Sequence, residues 1–243
     1  MRMSMRAAVA ATAMLLLAGC AHDAATPSGN GLTDLPAATV VERSLAAFKS
    51  APSYRVEVHG GDASKPLSIK LAVVGANLHG SLTRDGGTTE ILKAGTNFYI
   101  RPDETFWATE LEKPEQAHAY ATFAGARWIK VERGDPLLAT AGLDGAFLFA
   151  DRTFLNSAVP KHMALGDPKD IGGVPTITVL DTRTTEDART EISVATTGEP
   201  YPVRWDFGLG TVADFTAYGT PSDPIEDPAP TTMVDMKTVL HHT

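Results

Sequence analysis

The chain has one cysteine, and its surroundings give that thiol a chemical role. Cys20 closes the run Leu15-Leu16-Leu17-Ala18-Gly19-Cys20. A thiol is the most readily alkylated nucleophile among the side chains, and the small residues Ala18 and Gly19 leave the preceding peptide bond open to a protease. Ahead of it stand Arg2 and Arg6 and then an apolar run from Ala7 to Leu17. A charged start, a greasy core and a small-residue cleavage site make up an export signal. The run is too short for the roughly 20 residues of a membrane-spanning helix. Residues 1–19 therefore read as a removable leader.

Other reactive side chains form no recognisable machinery. There is no G-x-S-x-G elbow and no S-x-x-K pair to activate a hydroxyl. No H-E-x-x-H, C-x-x-C or EF-hand pattern is present to hold a metal. His59 and His79 fall on the polar faces of predicted strands, and His241-His242 lie at the terminus. Glu110, Glu112 and Glu115 cluster around Lys113 and read as a solvated loop leading into a helix. The expectation is a protein that is not an enzyme and uses no cofactor.

The formal charge of −8 becomes two units more acidic once Arg2 and Arg6 leave with the leader. Such a surface does not suit the phosphates of a nucleic acid, so no nucleic-acid partner is expected. The tetrapeptide Leu17-Ala18-Gly19-Cys20 resembles the bacterial lipobox, which implies diacylglyceryl transfer to the Cys20 sulfur and cleavage before it. Several acyl chains anchor a protein stably, at roughly 0.8 kcal/mol per buried methylene. Membrane lipid through acylated Cys20 is thus the first predicted partner, and the outer face of the cell membrane the predicted location.

The elements that follow must form a domain without cross-links. Residues 20–34 are small, polar and Gly/Pro-bearing, and predict a flexible tether. From Pro36 to Lys49, Val41, Leu45 and Phe48 repeat at helical spacing, with Asp34 as the expected cap. The period then changes to two. Tyr54, Val56 and Val58 alternate with polar residues, as do Leu67 to Val73 and Leu78 to Leu82, and Asp85-Gly86-Gly87 and Gly95-Thr96-Asn97 mark turns. Pro114–Phe123 and Leu143–Ala158 read as helices, the second carrying Leu143, Phe147, Ala150 and Phe154 on one stripe. Strands resume at Met163–Leu165 and continue to Phe215. Gly219–Pro230 is a Pro/Asp-rich tail, and Met233–Leu240 reads as a closing strand or a short helix. One α+β domain over 35–243 is expected, a strongly curved antiparallel sheet of about ten strands with helices against its concave face.

The combination of lipobox, tether and amphipathic helix with Ser50-Ala51-Pro52-Ser53-Tyr54-Arg55-Val56 resembles the LppX/LprAFG lipoproteins of actinobacteria. So do the Phe98-Tyr99-Ile100 strand, Phe106-Trp107, Arg127-Trp128-Ile129-Lys130-Val131, Gly198-Glu199-Pro200-Tyr201-Pro202-Val203-Arg204 and Asp214-Phe215-Thr216-Ala217-Tyr218-Gly219. The resemblance implies a half-barrel related to the LolA/LolB carriers, with an apolar cavity that receives an acylated lipid or other hydrophobic cargo, and a partner in envelope transport.

If such a cavity exists here, its lining would come from Leu71, Val73, Leu78 and Leu82 on the sheet and from Phe147, Leu148, Phe154 and Leu155 on the insertion. Ordinary core packing needs the same residue types, so the pattern leaves both open. Gly80 within a strand would leave room beside the sheet. The alternative function is a tethered interaction or sensor domain with a filled core and a protein partner.

Overall fold

The computed structural model describes residues 29–62, 64–111, 114–136, 138, 141–221 and 223–241. The leader and Cys20 lie outside these residues. Thirteen strands form one open sheet. β1 (Ser53–Asp62), β2 (Lys65–Val74), β3 (Asn77–Arg84), β4 (Gly87–Ala94), β5 (Asn97–Pro102) and β6 (Trp128–Val131) make the first half. The second half holds β7 (Met163–Leu165), β8 (Lys169–Ile171), β9 (Val174–Asp181), β10 (Glu191–Ala195), β11 (Pro202–Asp206) and β12 (Val212–Thr216). The order is β13-β6-β5-β4-β3-β2-β1-β12-β11-β10-β9-β7, with β8 also on β9, and β13 is Met233–Asp235. The curved α+β half-barrel expected from the sequence is the architecture observed. The strand without a counterpart in the sequence reading is β8, whose three residues are too few to show a period.

The period-two pattern is what aligns the sheet's inner face. In register, Val58, Val56 and Tyr54 stand opposite Ile69, Leu71 and Val73, which stand opposite Leu82, Gly80 and Leu78. β1 joins the halves by pairing Val56 with Phe215 and Val58 with Ala213. One pairing departs from the antiparallel rule, since β13 runs parallel to β6.

Helices cover this inner face. α1 (Ala37–Ser50) packs on β7, β9, β10 and β11 and buries Val40, Val41, Ala47 and Phe48. The predicted stripe is rotated, so Leu45 is only partly buried. Asp34 does not cap the helix: the N-cap is Pro36, and Asp34 belongs to a short 3-10 turn, Leu32–Asp34. That turn corrects the tether, whose described part is docked. Asn30 donates Nδ2 to Ala195 O (2.9 Å) and Gly198 O (3.1 Å), and Leu32 is 1% exposed in the core. A buried leucine next to a bonded asparagine anchors the chain.

α2 (Glu104–Glu110) lies on β4 and follows the N-cap Asp103, whose carboxylate accepts from Phe106 N–H at 2.7 Å. It buries Phe106 and Trp107. The helix predicted from Pro114 is a 3-10 turn, Pro114–Gln116, followed by α3 (Ala117–Ala124). The predicted helix 143–158 is broken: α4 is Leu143–Leu148, and a 3-10 segment takes Phe154–Ala158. Between them Asp151 accepts from Thr153 N–H and Oγ1, both at 2.8 Å, a local bond that competes with helix continuation. Met233–Leu240 is both strand and helix, since β13 runs directly into α5 (Met236–His241).

The Pro/Asp tail is a strap over the outer face. Asn77 Nδ2 donates to Ile225 O (2.9 Å), and Asp227 accepts from Tyr99 Oη (2.8 Å) and Asn97 Nδ2 (3.1 Å). Leu92 and Tyr99, on the outer face, are buried. Burial first, then the hydrogen bond and charge of Asp227, push the Tyr99 phenol up to about 12. A phenol raised in the folded state favours folding fully below its ordinary value of about 10. That contribution is lost as the pH rises through about 12. Asp227→Ala is expected to lower the Tyr99 pKa, measured by phenolate absorbance, and to make the 219–230 segment more sensitive to limited proteolysis.

Candidate functional site

The eight residues proposed for a cavity separate into three environments. Leu71 and Val73 on β2, Leu78 and Leu82 on β3, and Leu155 are each 4% exposed or less. They form one continuous core with Phe48, Tyr54 and Val56. Phe154 is half-buried, edge-on to Phe149 with centroids 4.7 Å apart and to Phe48 at 6.3 Å. Phe147 and Leu148 line an open pocket.

That pocket has a volume of about 260 Å³ and is lined by Phe98, Arg133, Gly134, Leu138, Asp144, Phe147 and Leu148. Its floor is Phe98 on β5, whose ring meets Phe147 edge-on at 4.9 Å. Leu148, the next residue on α4, is 48% exposed at the wall. A leucine left that open is an unused apolar surface beside an aromatic floor. The volume falls just below the roughly 300–1,000 Å³ usual for small-molecule sites. It suits one acyl segment rather than a whole two-chain lipid.

Arg133 and Asp144 are the charged residues of the lining, and Lys93 stands beside its floor. The Arg133 guanidinium carbon stands 5.9 Å from the Phe98 ring centre. Lys93 is the register partner of Phe98, so both project from the inner face of the sheet. Its ammonium donates to Ala76 O (2.5 Å) and Gly95 O (2.9 Å). Burial, with the Arg133 charge adding to it, holds the Lys93 pKa below the ordinary lysine value. Sequence reasoning missed Arg133, Leu138 and Asp144, because no periodicity singles out a turn such as Glu132-Arg133-Gly134-Asp135.

A second polar feature is structural. Arg152 gives Nη2 to Gly75 O (3.1 Å) and Pro52 O (3.4 Å), and its guanidinium carbon lies 4.6 Å from the Tyr54 ring centre. Tyr54 Oη donates to Phe149 O. Burial, the dominant influence, raises the Tyr54 phenol and lowers the Arg152 guanidinium. These contacts tie the insertion to the β1 and β2–β3 ends.

Of the acidic cluster, Glu115 is exposed, but the Glu110 side chain is 7% exposed and turned toward Arg84 at 3.9 Å. Burial raises its carboxyl against the pull of Arg84. His59 and His79 are exposed, as their strand positions predict. Trp107 is fully buried on α2, whereas Trp128 sits on the outer face under Arg101, 4.5 Å from ring centre to guanidinium carbon.

A larger groove of about 510 Å³ occupies the outer face of the second half, between Ile171, Val174, Ala195, Val203, Tyr201 and Tyr218. The Arg204–Asp214 pair, at 2.6 Å, also lines it. Among the described residues, no helix is long and apolar enough to cross a membrane.

No protein-family model matches the sequence, and no curated protein matches it. Among solved structures, the chain is similar to LprF from Mycobacterium bovis, with 16% identity over 84% of this chain and 99% of that chain and a TM-score of 0.48.

Proposed function

We propose that this chain is an exported, lipid-anchored protein of the cell envelope that holds an apolar segment of an amphiphilic lipid between β5 and α4 and carries it within the envelope. The observation that supports it is the pocket of Phe98, Leu138, Phe147 and half-exposed Leu148, an open apolar recess continuous with the inner face of the sheet. Anchoring rests on the leader and on Cys20. Nine residues, 20 to 28, precede the docked Gly29, and a chain of that length reaches at most about 30 Å. The domain would therefore work close to the membrane surface.

Loading would be a reversible partition with no covalent step. Apolar area leaving water contributes about 25 cal/mol per Å², and the same area returns to an acceptor membrane on release. A carrier needs this balance, since cargo held too tightly is not delivered.

The filled inner core favours a second reading, a tethered interaction domain. Leu78 and Leu82 are fully buried, and the 510 Å³ outer groove offers a surface for a protein partner. One experiment separates the two. Cys20→Ser protein, purified without its anchor, is expected to show co-purifying lipid or uptake of added lipid by native mass spectrometry. Bare protein that takes up nothing would remove the carrier reading and leave the interaction domain.

A further inference from the structure

We infer that the pocket of Phe98, Phe147 and Leu148 selects amphiphiles with an anionic head, which Arg133 receives at its rim with Lys93 adding its charge from beside the floor residue Phe98; this rests on the pocket being the lipid site. The chain is acidic overall, with formal charge −8, so one cation lining an apolar recess and a second beside its floor run against the general surface. They are placed there by the fold. Lys93 pairs in register with Phe98, the floor of the pocket, and Arg133 stands over the ring of the same residue.

Both cations keep donors for a ligand. Lys93 uses Nζ on two backbone carbonyls, Ala76 O and Gly95 O, and an ammonium has three N–H bonds. The carboxylate of Asp151, which feels the Arg133 charge, is already engaged by Thr153 N–H and Oγ1. Arg133 lines the pocket with its guanidinium carbon 5.9 Å from the Phe98 ring centre, so its positive charge is within reach of a phosphate or carboxylate held there. Asp144 also lines the pocket and opposes an anion there. The ligand class that fits is a single chain of modest length bearing a phosphate or carboxylate, as a free acid or as part of a larger lipid.

Isothermal titration of the Cys20→Ser protein with dodecyl phosphate, dodecanol and inorganic phosphate tests this. Dodecyl phosphate is expected to bind about tenfold more tightly than dodecanol, as charge-assisted hydrogen bonds require, and inorganic phosphate alone far more weakly. Lys93→Gln with Arg133→Gln should erase the preference, Arg133→Lys should retain most of it, and Asp144→Asn should enlarge it. Asp144→Asn leaves both cations in place, so it reads the charge effect even if the double variant folds poorly. Equal binding of the two dodecyl probes would overturn the head-group selection while leaving the apolar site standing. Inorganic phosphate binding as tightly as dodecyl phosphate would overturn it in favour of a free-anion site, and failure of both dodecyl probes would overturn the pocket reading as well.

Discussion

Gly80→Ala should cost more than about 4 kcal/mol, a loss large enough to name a single steric cause. A methyl group at position 80 would lie 1.9 Å from Lys70 O and 2.9 Å from the Leu71 Cα on β2. Those are backbone atoms of a paired strand, so no side-chain rotation relieves the clash. The glycine is there because β3 crosses β2 at very close range, which is one way a sheet acquires strong curvature. The space expected beside Gly80 is thus occupied by the neighbouring strand and does not belong to a ligand. Against a total stability of about 5–15 kcal/mol, the variant should unfold at much lower urea or fail to accumulate. Ser81→Thr, one residue along on the opposite face, should change stability by less than about 0.5 kcal/mol. An alanine variant with a wild-type urea midpoint would show that β2 and β3 do not approach this way.

Phe48→Ala should lower stability by about 3–5 kcal/mol, the range for removing a buried aromatic ring. Phe48 is fully buried and joins α1 to both halves of the sheet, with ring centroids 5.0 Å from Tyr54 and 5.6 Å from Phe215. Arg152 covers the same ring at 5.9 Å, so its loss also loosens the insertion. Leu148→Ala makes the instructive contrast. With half its surface already in water, it should shift stability by less than about 0.5 kcal/mol yet weaken lipid uptake. Chemical denaturation and lipid binding measured on both variants separate a core residue from a pocket residue, a distinction that apolar identity alone does not make.

Where a segment had one buried face, its sequence pattern located it. Tyr54-Arg55-Val56-Glu57-Val58 and Leu67 to Val73 alternate, and they became β1 and β2 in the register that keeps their apolar residues together. The short elements were not legible. α2 has seven residues, less than two full repeats of a stripe, and its start is signalled only by the cap Asp103. The insertion defeated the helical period for a local reason, because Asp151 bonds Thr153 instead of allowing the helix to continue. Gly29 to Leu32 read as tether because small polar residues also suit loops, and it is the tertiary partners at Ala195, Thr196 and Gly198 that hold Asn30 in place. The site was half visible. Phe147 lies on an apolar stripe and Leu148 beside it, but which of these residues stays uncovered is decided by what β5 and the Arg133 turn place next to them.

The most direct test is covalent mapping of the bound chain. A fatty acid carrying a photoreactive group near its methyl end, bound to the Cys20→Ser protein, irradiated and located by peptide mass spectrometry, reports the residues that touch the ligand. The expected result is labelling on Leu138, Phe147 and Leu148, suppressed by excess unlabelled lipid. Labelling confined to the outer groove around Ile171, Val203 and Tyr218, or none above background, would contradict a lipid site between β5 and α4.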